Sequence, residues 1–378
     1  MKWIDFKSGV RDEKKYIYEL ESVRGIAILL VFLFHCFGIW FGGAPDDPSL
    51  AMSFIVSGHT GVTLFFVLSG FLLSLPFVAG LESGHHPSIR DYFFSRALRI
   101  IPLYYLAVLV AFYAKGDLAT TVQALGFMFV GFDLFPYSVV WWTLSTEVQF
   151  YLLLPLVMML CRTRRGMLIL FLLCMVWMLA YYHYVIANPG NVGQPYYWTK
   201  TKSLFGRLPA FAFGIAAAFL YVRAPFQKLR SQDKLRALGA ACLVIAIVSL
   251  AFLLQASAQM GDRVSERSWH VWHVYESACW TLVLLGFLCR PYGSWIAINE
   301  FTALMGKLSY SIYLTHVPIN VYLAAFVKFK MGLEITPGTT EAILFPLAAF
   351  AATVLVSFIC YQLIELPFLK LKKHLPRK

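Results

Sequence analysis

Arg24 and His35 lie eleven residues apart in the first long apolar stretch of the chain. At about 100° per residue this spacing returns to one helix face after three turns, with about 16 Å of axial rise between the two side chains. An ionisable side chain at membrane depth is costly and therefore marks a functional candidate. Histidine is also the side chain that exchanges a proton near neutral pH. The plainer alternative is a histidine that packs by hydrogen bonding to a neighbouring helix.

Other polar residues extend this pair into a possible site. Arg96 and Arg99 are three apart, so they share a helix face. With Arg24 they could bind a multiply charged phosphate ligand, because guanidinium forks match phosphate oxygens. They could equally be topology anchors. Glu147 lies in the segment Trp141-Trp142-Thr-Leu-Ser-Thr-Glu147, about eight residues into its span, with Tyr151 four residues on. A carboxylate at that depth needs a partner. At similar depth, His35 is the natural one, since a carboxylate would fix the imidazole tautomer and stabilise its cation. Ser309, Tyr313 and His316 fall at i, i+4 and i+7, a polar stripe that should line a cavity or an interhelical seam. The expected channel is lined by this stripe with Trp142 and Tyr151, and has Arg24, Arg96 and Arg99 at its mouth and His35 with Glu147 as the catalytic pair. Glu365 is read as a neutraliser of nearby basic residues.

No metal site is expected. There is no HExxH or CxxC, and the seven cysteines lie in or beside apolar runs, where they read as small hydrophobes. No GxSxG or P-loop occurs either.

The elements that must position these residues are membrane helices. Hydrophobic residues make up 59% of the 378, charged residues 14%, and the mean hydropathy is +0.67. A soluble domain carries about 25% charged residues. The chain therefore reads as an all-α polytopic membrane protein. Ten spans are predicted, at about 23–41, 59–79, 100–114, 139–160, 166–186, 205–222, 238–257, 272–289, 308–327 and 342–364. The stretch 118–136 is apolar but short and contains Gly126, Gly131 and Pro136. If it does not span, one side of the membrane receives 24 Lys/Arg and the other 8. If it did span, the basic loops 162–165 and 223–236 would move to the outside, against the positive-inside rule. It is therefore predicted to be re-entrant or interfacial, with both termini cytoplasmic. The net charge of +12 then reflects topology and anionic lipid rather than nucleic acid.

The expected organisation is a cytoplasmic segment 1–22, a membrane domain 23–367 and a basic cytoplasmic tail 368–378. Residues 1–22 do not read as a cleavable signal. The turn-rich loop 187–204 would suit contact with an acceptor, although a simple connector has the same composition.

Read in order, the segments resemble acyltransferase family 3, membrane proteins that O-acylate surface glycans and some small molecules. The resemblance rests on Glu19-Leu-Glu-Ser-Val-Arg24-Gly with His35, and on Gly61-Val-Thr-Leu-Phe-Phe-Val-Leu-Ser-Gly-Phe71. It continues through Arg96-Ala-Leu-Arg-Ile-Ile-Pro102, Trp142-Thr-Leu-Ser-Thr-Glu147, Ser309-Tyr-Ser-Ile-Tyr-Leu-Thr-His316 and Glu365-Leu-Pro367. Two departures stand out: Glu21-Ser22-Val23 where the family usually has Asp-Gly-Leu, and Thr63 where it often has Asp.

The resemblance implies transfer of an acyl group, usually acetyl from cytoplasmic acetyl-CoA, to a hydroxyl of a glycan or lipid-linked sugar outside, in a bacterial inner membrane. No permanently bound cofactor is implied. Arg24, Arg96 and Arg99 would hold the donor, and His35 would be the essential histidine. Some family members carry a fused SGNH-type domain. None is seen here, so transfer would be completed by the membrane domain or a separate partner. Two rivals stay open at this point: a transporter of lipid-linked glycans or small solutes that does no chemistry, and the same fold acting on a small molecule such as a macrolide.

Overall fold

The computed structural model describes residues 18–43, 47–187, 201–226, 233–260, 267–289 and 296–372. Most of the expected N-terminal segment, most of loop 187–204 and the end of the basic tail lie outside the described residues.

The described residues fold as helices. In chain order these are α1 (Tyr18–Phe41), α2 (Leu50–Val56), α3 (Thr60–Ser83), α4 (Ile89–Lys115) and α5 (Leu118–Leu125). Next come α6 (Trp142–Leu160), α7 (Arg164–Tyr181), α8 (Leu204–Val222), α9 (Asp233–Met260) and α10 (Arg267–Leu288). The last are α11 (Glu300–Lys307), α12 (Ser309–Lys330), α13 (Glu341–Cys360) and α14 (Leu366–Leu371). Helix is the expected solution, because it satisfies its own backbone polar groups where no water is present.

Nine helices among the described residues are long and apolar enough to cross a membrane, and nine of the ten predicted spans coincide with them. The remaining predicted span, 272–289, falls on α10, which has the length, 22 residues. It carries His273, Glu276, Ser277 and Thr281, all buried. Other helices leave apolar side chains outside. Leu168, Leu172, Val176 and Leu179 of α7 and Leu344, Leu347, Leu355 and Ile359 of α13 are exposed, as lipid-facing residues should be.

The segment 118–136 does not form a spanning helix. It contains the eight-residue α5, then turns. Its backbone is tied down by side chains: Tyr104 donates to the Ala124 carbonyl at 2.9 Å and Tyr105 to the Leu125 carbonyl at 3.1 Å. Irregular backbone at membrane depth survives only when its polar groups are answered in this way.

The chain divides into two compact units. The first contains residues 1–45, 90–142 and 296–378, the second residues 46–89 and 143–295. Each has a tight helix pair built on glycines. In the first unit α1 meets α11 at Gly25 and Gly306. A Cβ on Gly25 would lie 1.8 Å from the Thr302 carbonyl oxygen, and one on Gly306 1.8 Å from that of Glu21. In the second, α3 meets α8, where a Cβ on Gly214 would lie 2.1 Å from the Val67 oxygen. Small residues let membrane helices pack backbone to backbone, which replaces the hydrophobic drive that lipid removes.

Candidate active site

In the first unit α1, α12 and α13 share a seam with apolar walls. Phe32, Cys36 and Trp40 of α1 pack in one buried cluster with Val327 of α12 and Ala349 of α13. The polar groups of the seam come in two levels. At one, Trp40 Nε1 donates to Asn320 Oδ1 at 3.0 Å, and Asn320 Nδ2 donates to the His316 carbonyl at 2.8 Å. At the other, His316 Nε2 lies 3.2 Å from His35 Nδ1.

The hydrogen bonds around this histidine pair assign its protons. His316 Nδ1 lies 2.9 Å from the carbonyl oxygens of both Ile312 and Tyr313. A carbonyl can only accept, so Nδ1 carries the hydrogen, and in the neutral ring Nε2 is an acceptor. His35 Nδ1 then faces two acceptors, His316 Nε2 and the Val31 carbonyl at 3.0 Å. It must carry its own hydrogen, which leaves the lone pair of neutral His35 on Nε2. His316 is fully buried and His35 half-buried. A buried ring thus holds a more accessible one in the tautomer a base or nucleophile needs, the service a carboxylate gives in a catalytic triad.

The stripe Ser309, Tyr313 and His316 is buried throughout. Tyr313 donates to the Val140 carbonyl at 3.1 Å, just before Trp142. Between Ser309 and His316, Ser311 donates to Glu365. Glu365 is itself buried, at the end of a wide π-helical turn, Tyr361–Glu365, that joins α13 to α14.

Glu365 marks the cationic end of the unit. Arg24 and Arg99 lie within electrostatic reach of its carboxylate. Arg24, Arg96 and Arg99 all lie within reach of Lys372, at the C-terminal end of α14. The three arginines picked from sequence are therefore gathered at one place. The α1–α11 glycine contact, next to Arg24 in the chain, fixes where that side chain starts. Arg24 also pairs with Glu21 at 3.4 Å. Lys372, in the expected basic tail, is only 9% exposed. Burial first, then the neighbouring guanidiniums, holds its ammonium well below the ordinary lysine value.

Glu147 and Tyr151 belong to the second unit. Tyr151 donates to Glu147 Oε2 at 2.7 Å and Ser69 to Oε1 at 2.9 Å. His316 is a hydrogen-bonded ring partner of His35 within the first unit.

The second unit also contains a carboxylate that sequence reasoning passed over. Glu276 is 2% exposed, in the middle of α10. Thr63 donates to its Oε2 at 2.9 Å, Thr60 hydrogen-bonds it, and Arg207 of α8 faces it electrostatically. Trp280, one turn further along α10, donates to Thr60 Oγ1 at 2.8 Å. Thr63, a departure from the family pattern, thus has a defined job as a donor. Glu276 and Arg207 lie far apart in the chain, and only their low local hydropathy hinted at them. Glu276→Ala removes the carboxylate that faces the Arg207 cation. The expected loss is about 3 kcal/mol, the low end for a buried pair because Arg207 is partly exposed. Glu276→Gln, which keeps the hydrogen bonds, should lose less. Denaturant unfolding in detergent measures both, and wild-type stability in Glu276→Ala would refute the pairing.

Among the described residues no cluster of His, Cys, Asp or Glu could hold a metal.

An all-helical, multi-pass membrane protein with a hydrogen-bonded histidine pair and a cluster of arginines is the class defined by this fold and site. The chain belongs to acyltransferase family 3: the family's acyltransferase-domain profile matches residues 17–362. It is 27% identical to the peptidoglycan O-acetyltransferase OatA of Listeria monocytogenes, over 96% of this chain and 57% of that protein. It is 23% identical to the O-acetyltransferase OatA of Staphylococcus aureus NCTC 8325, over 97% of this chain and 60% of that one. A putative acetyltransferase of Acidianus two-tailed virus is 25% identical over 86% of this chain and 90% of its own length. The chain thus spans a little under two thirds of the OatA proteins it matches. No solved structure matches it.

Proposed function

We propose that this protein is a membrane O-acyltransferase that moves an acyl group, acetyl in the first instance, from cytoplasmic acyl-CoA to a hydroxyl of a glycan or glycolipid outside, in a bacterial inner membrane. The observation that carries this reading is the His316–His35 hydrogen bond, in the same unit as the arginine cluster. Arg24 and His35 stand on one face of α1 about 16 Å apart. That geometry suits a donor whose charged nucleotide stays at the arginines while its thioester arm reaches the imidazole.

The chemistry balances on these residues. His35 Nε2 accepts the proton of the acceptor hydroxyl as that oxygen attacks the thioester carbonyl. The C–S bond breaks, an ester forms, and the imidazolium returns its proton to the thiolate. Alternatively, Nε2 attacks the carbonyl itself, the C–S bond breaks to release the CoA thiolate, and the acceptor hydroxyl then takes the acyl group as the N–C bond breaks, its proton balancing the thiolate as thiol. A trapped acyl-histidine in the absence of acceptor marks the second route. The name of the Listeria monocytogenes relative makes a peptidoglycan-type glycan the first acceptor to test.

The deciding experiment supplies labelled acetyl-CoA to one side of proteoliposomes and glycan to the other, and measures label in the glycan by mass spectrometry. Labelled ester on the far side supports the reading. Solute movement without acetyl transfer would instead establish a transporter.

A further inference from the structure

Lys372 adds a fourth cation to a place that already holds three. It is buried on α14, seven residues past Glu365. At helical spacing seven residues return to the same face, about 10 Å further along. Glu365 lies on that face, within reach of Arg24 and Arg99. A lysine needed only for solubility or topology would extend its ammonium into water, as long cationic side chains at helix ends do. Burying an ammonium among guanidiniums is unfavourable unless an anion answers it. Among the described residues, Glu365 already accepts from Ser311, and Glu21 pairs with Arg24.

We propose that Lys372 is a donor-specificity residue that contacts the ribose phosphomonoester of the acyl-CoA nucleotide. This rests on the acyl-CoA reading above. The four cations differ in kind and in origin. Arg24 comes from α1, and Arg96 and Arg99 share one face of α4. Planar forks of this sort suit the adjacent oxygens of a diphosphate. Lys372 comes from a third helix and presents a compact point charge, which suits the concentrated charge of a phosphomonoester. A bound phosphate would also favour the charged form of an ammonium that burial disfavours.

The test compares acetyl-CoA with acetyl-dephospho-CoA, which lacks only that phosphomonoester, using the full chain in nanodiscs. Wild type is expected to favour acetyl-CoA by at least ten-fold in kcat/KM. Lys372→Met, close to lysine in length, should lose this preference by falling to the dephospho value for both donors. Lys372→Arg should keep most of it. Lys372→Gln serves as the neutral variant if the methionine variant does not fold. The proposal is overturned by a wild type without preference, by a neutral variant that keeps it, or by equal losses with both donors. Binding of adenosine 3′,5′-bisphosphate and of ADP is read in parallel by calorimetry. If Lys372 governs preference for the bisphosphate but no acyl transfer occurs, the transferase reading fails while the phosphate contact stands.

Discussion

Acyl transfer should fall by roughly three orders of magnitude in His35→Ala, within the range expected for loss of a positioned general base. Donor affinity should change little, because the arginine cluster is about 16 Å away along α1. The more informative variant is its partner. His316 meets no bulk water, yet its Nε2 accepts from His35 Nδ1 at 3.2 Å. Without that acceptor only the Val31 carbonyl holds His35 Nδ1, and the ring is less firmly kept in the orientation and tautomer that leave Nε2 as the base. His316→Ala should therefore lower kcat on the order of 10²-fold with KM for donor nearly unchanged. His316→Gln places an amide oxygen near the former Nε2 position and should recover part of the loss. A purely structural role for His316 predicts something else: parallel losses of stability and activity in both variants, with no rescue by glutamine. Unfolding curves and steady-state kinetics on the same preparations separate the two outcomes. Full activity in His35→Ala would end both versions of the mechanism.

The second large effect is expected at the arginines, and with the opposite kinetic signature. Arg24→Ala or Arg99→Ala removes a cation from an anionic ligand and also from the buried Glu365. Losing one partner of a desolvated charge pair costs about 2–5 kcal/mol. KM for acyl-CoA should accordingly rise about 30-fold or more, with a much smaller change in kcat. Lysine should rescue poorly at either position, because it cannot reproduce a two-pronged contact. Raised salt should weaken donor binding in wild type and less so in the variants, as screening of a charged site requires. A KM insensitive to all three arginines would place the donor elsewhere and remove the basis for assigning Lys372.

Much of this site was legible before any coordinates. Arg24, His35, Arg96 and Arg99 stand out because charge in an apolar helix is expensive, and regular helical spacing fixes which of them share a face. The same reasoning recovers the spans, since the length and composition needed to cross a bilayer are local properties. Charge kept 118–136 from being counted as a span, because a crossing there would move the basic loops 162–165 and 223–236 to the outside.

Which residues on different helices touch is not a local property. Depth from the membrane surface made Glu147 a reasonable companion for His35, because residues at equal depth look alike along a sequence. The hydrogen bond seen in the structure joins His35 to His316, 281 residues away. Lys372 read as part of a basic cytoplasmic tail. It is buried at the end of the helical run that continues from α13 through Tyr361–Glu365 into α14, within electrostatic reach of Arg24, Arg96 and Arg99. Glu276 drew no notice because its partners, Thr63 and Arg207, come from two other helices. The sequence by itself determined the helices, the family and the residues able to act on a proton or a phosphate. Tertiary structure alone decided their partners. Helical periodicity sets the face on which a side chain stands, but packing, here through the glycine contact of α1 with α11 and the seam of α1 with α12, sets what that face meets.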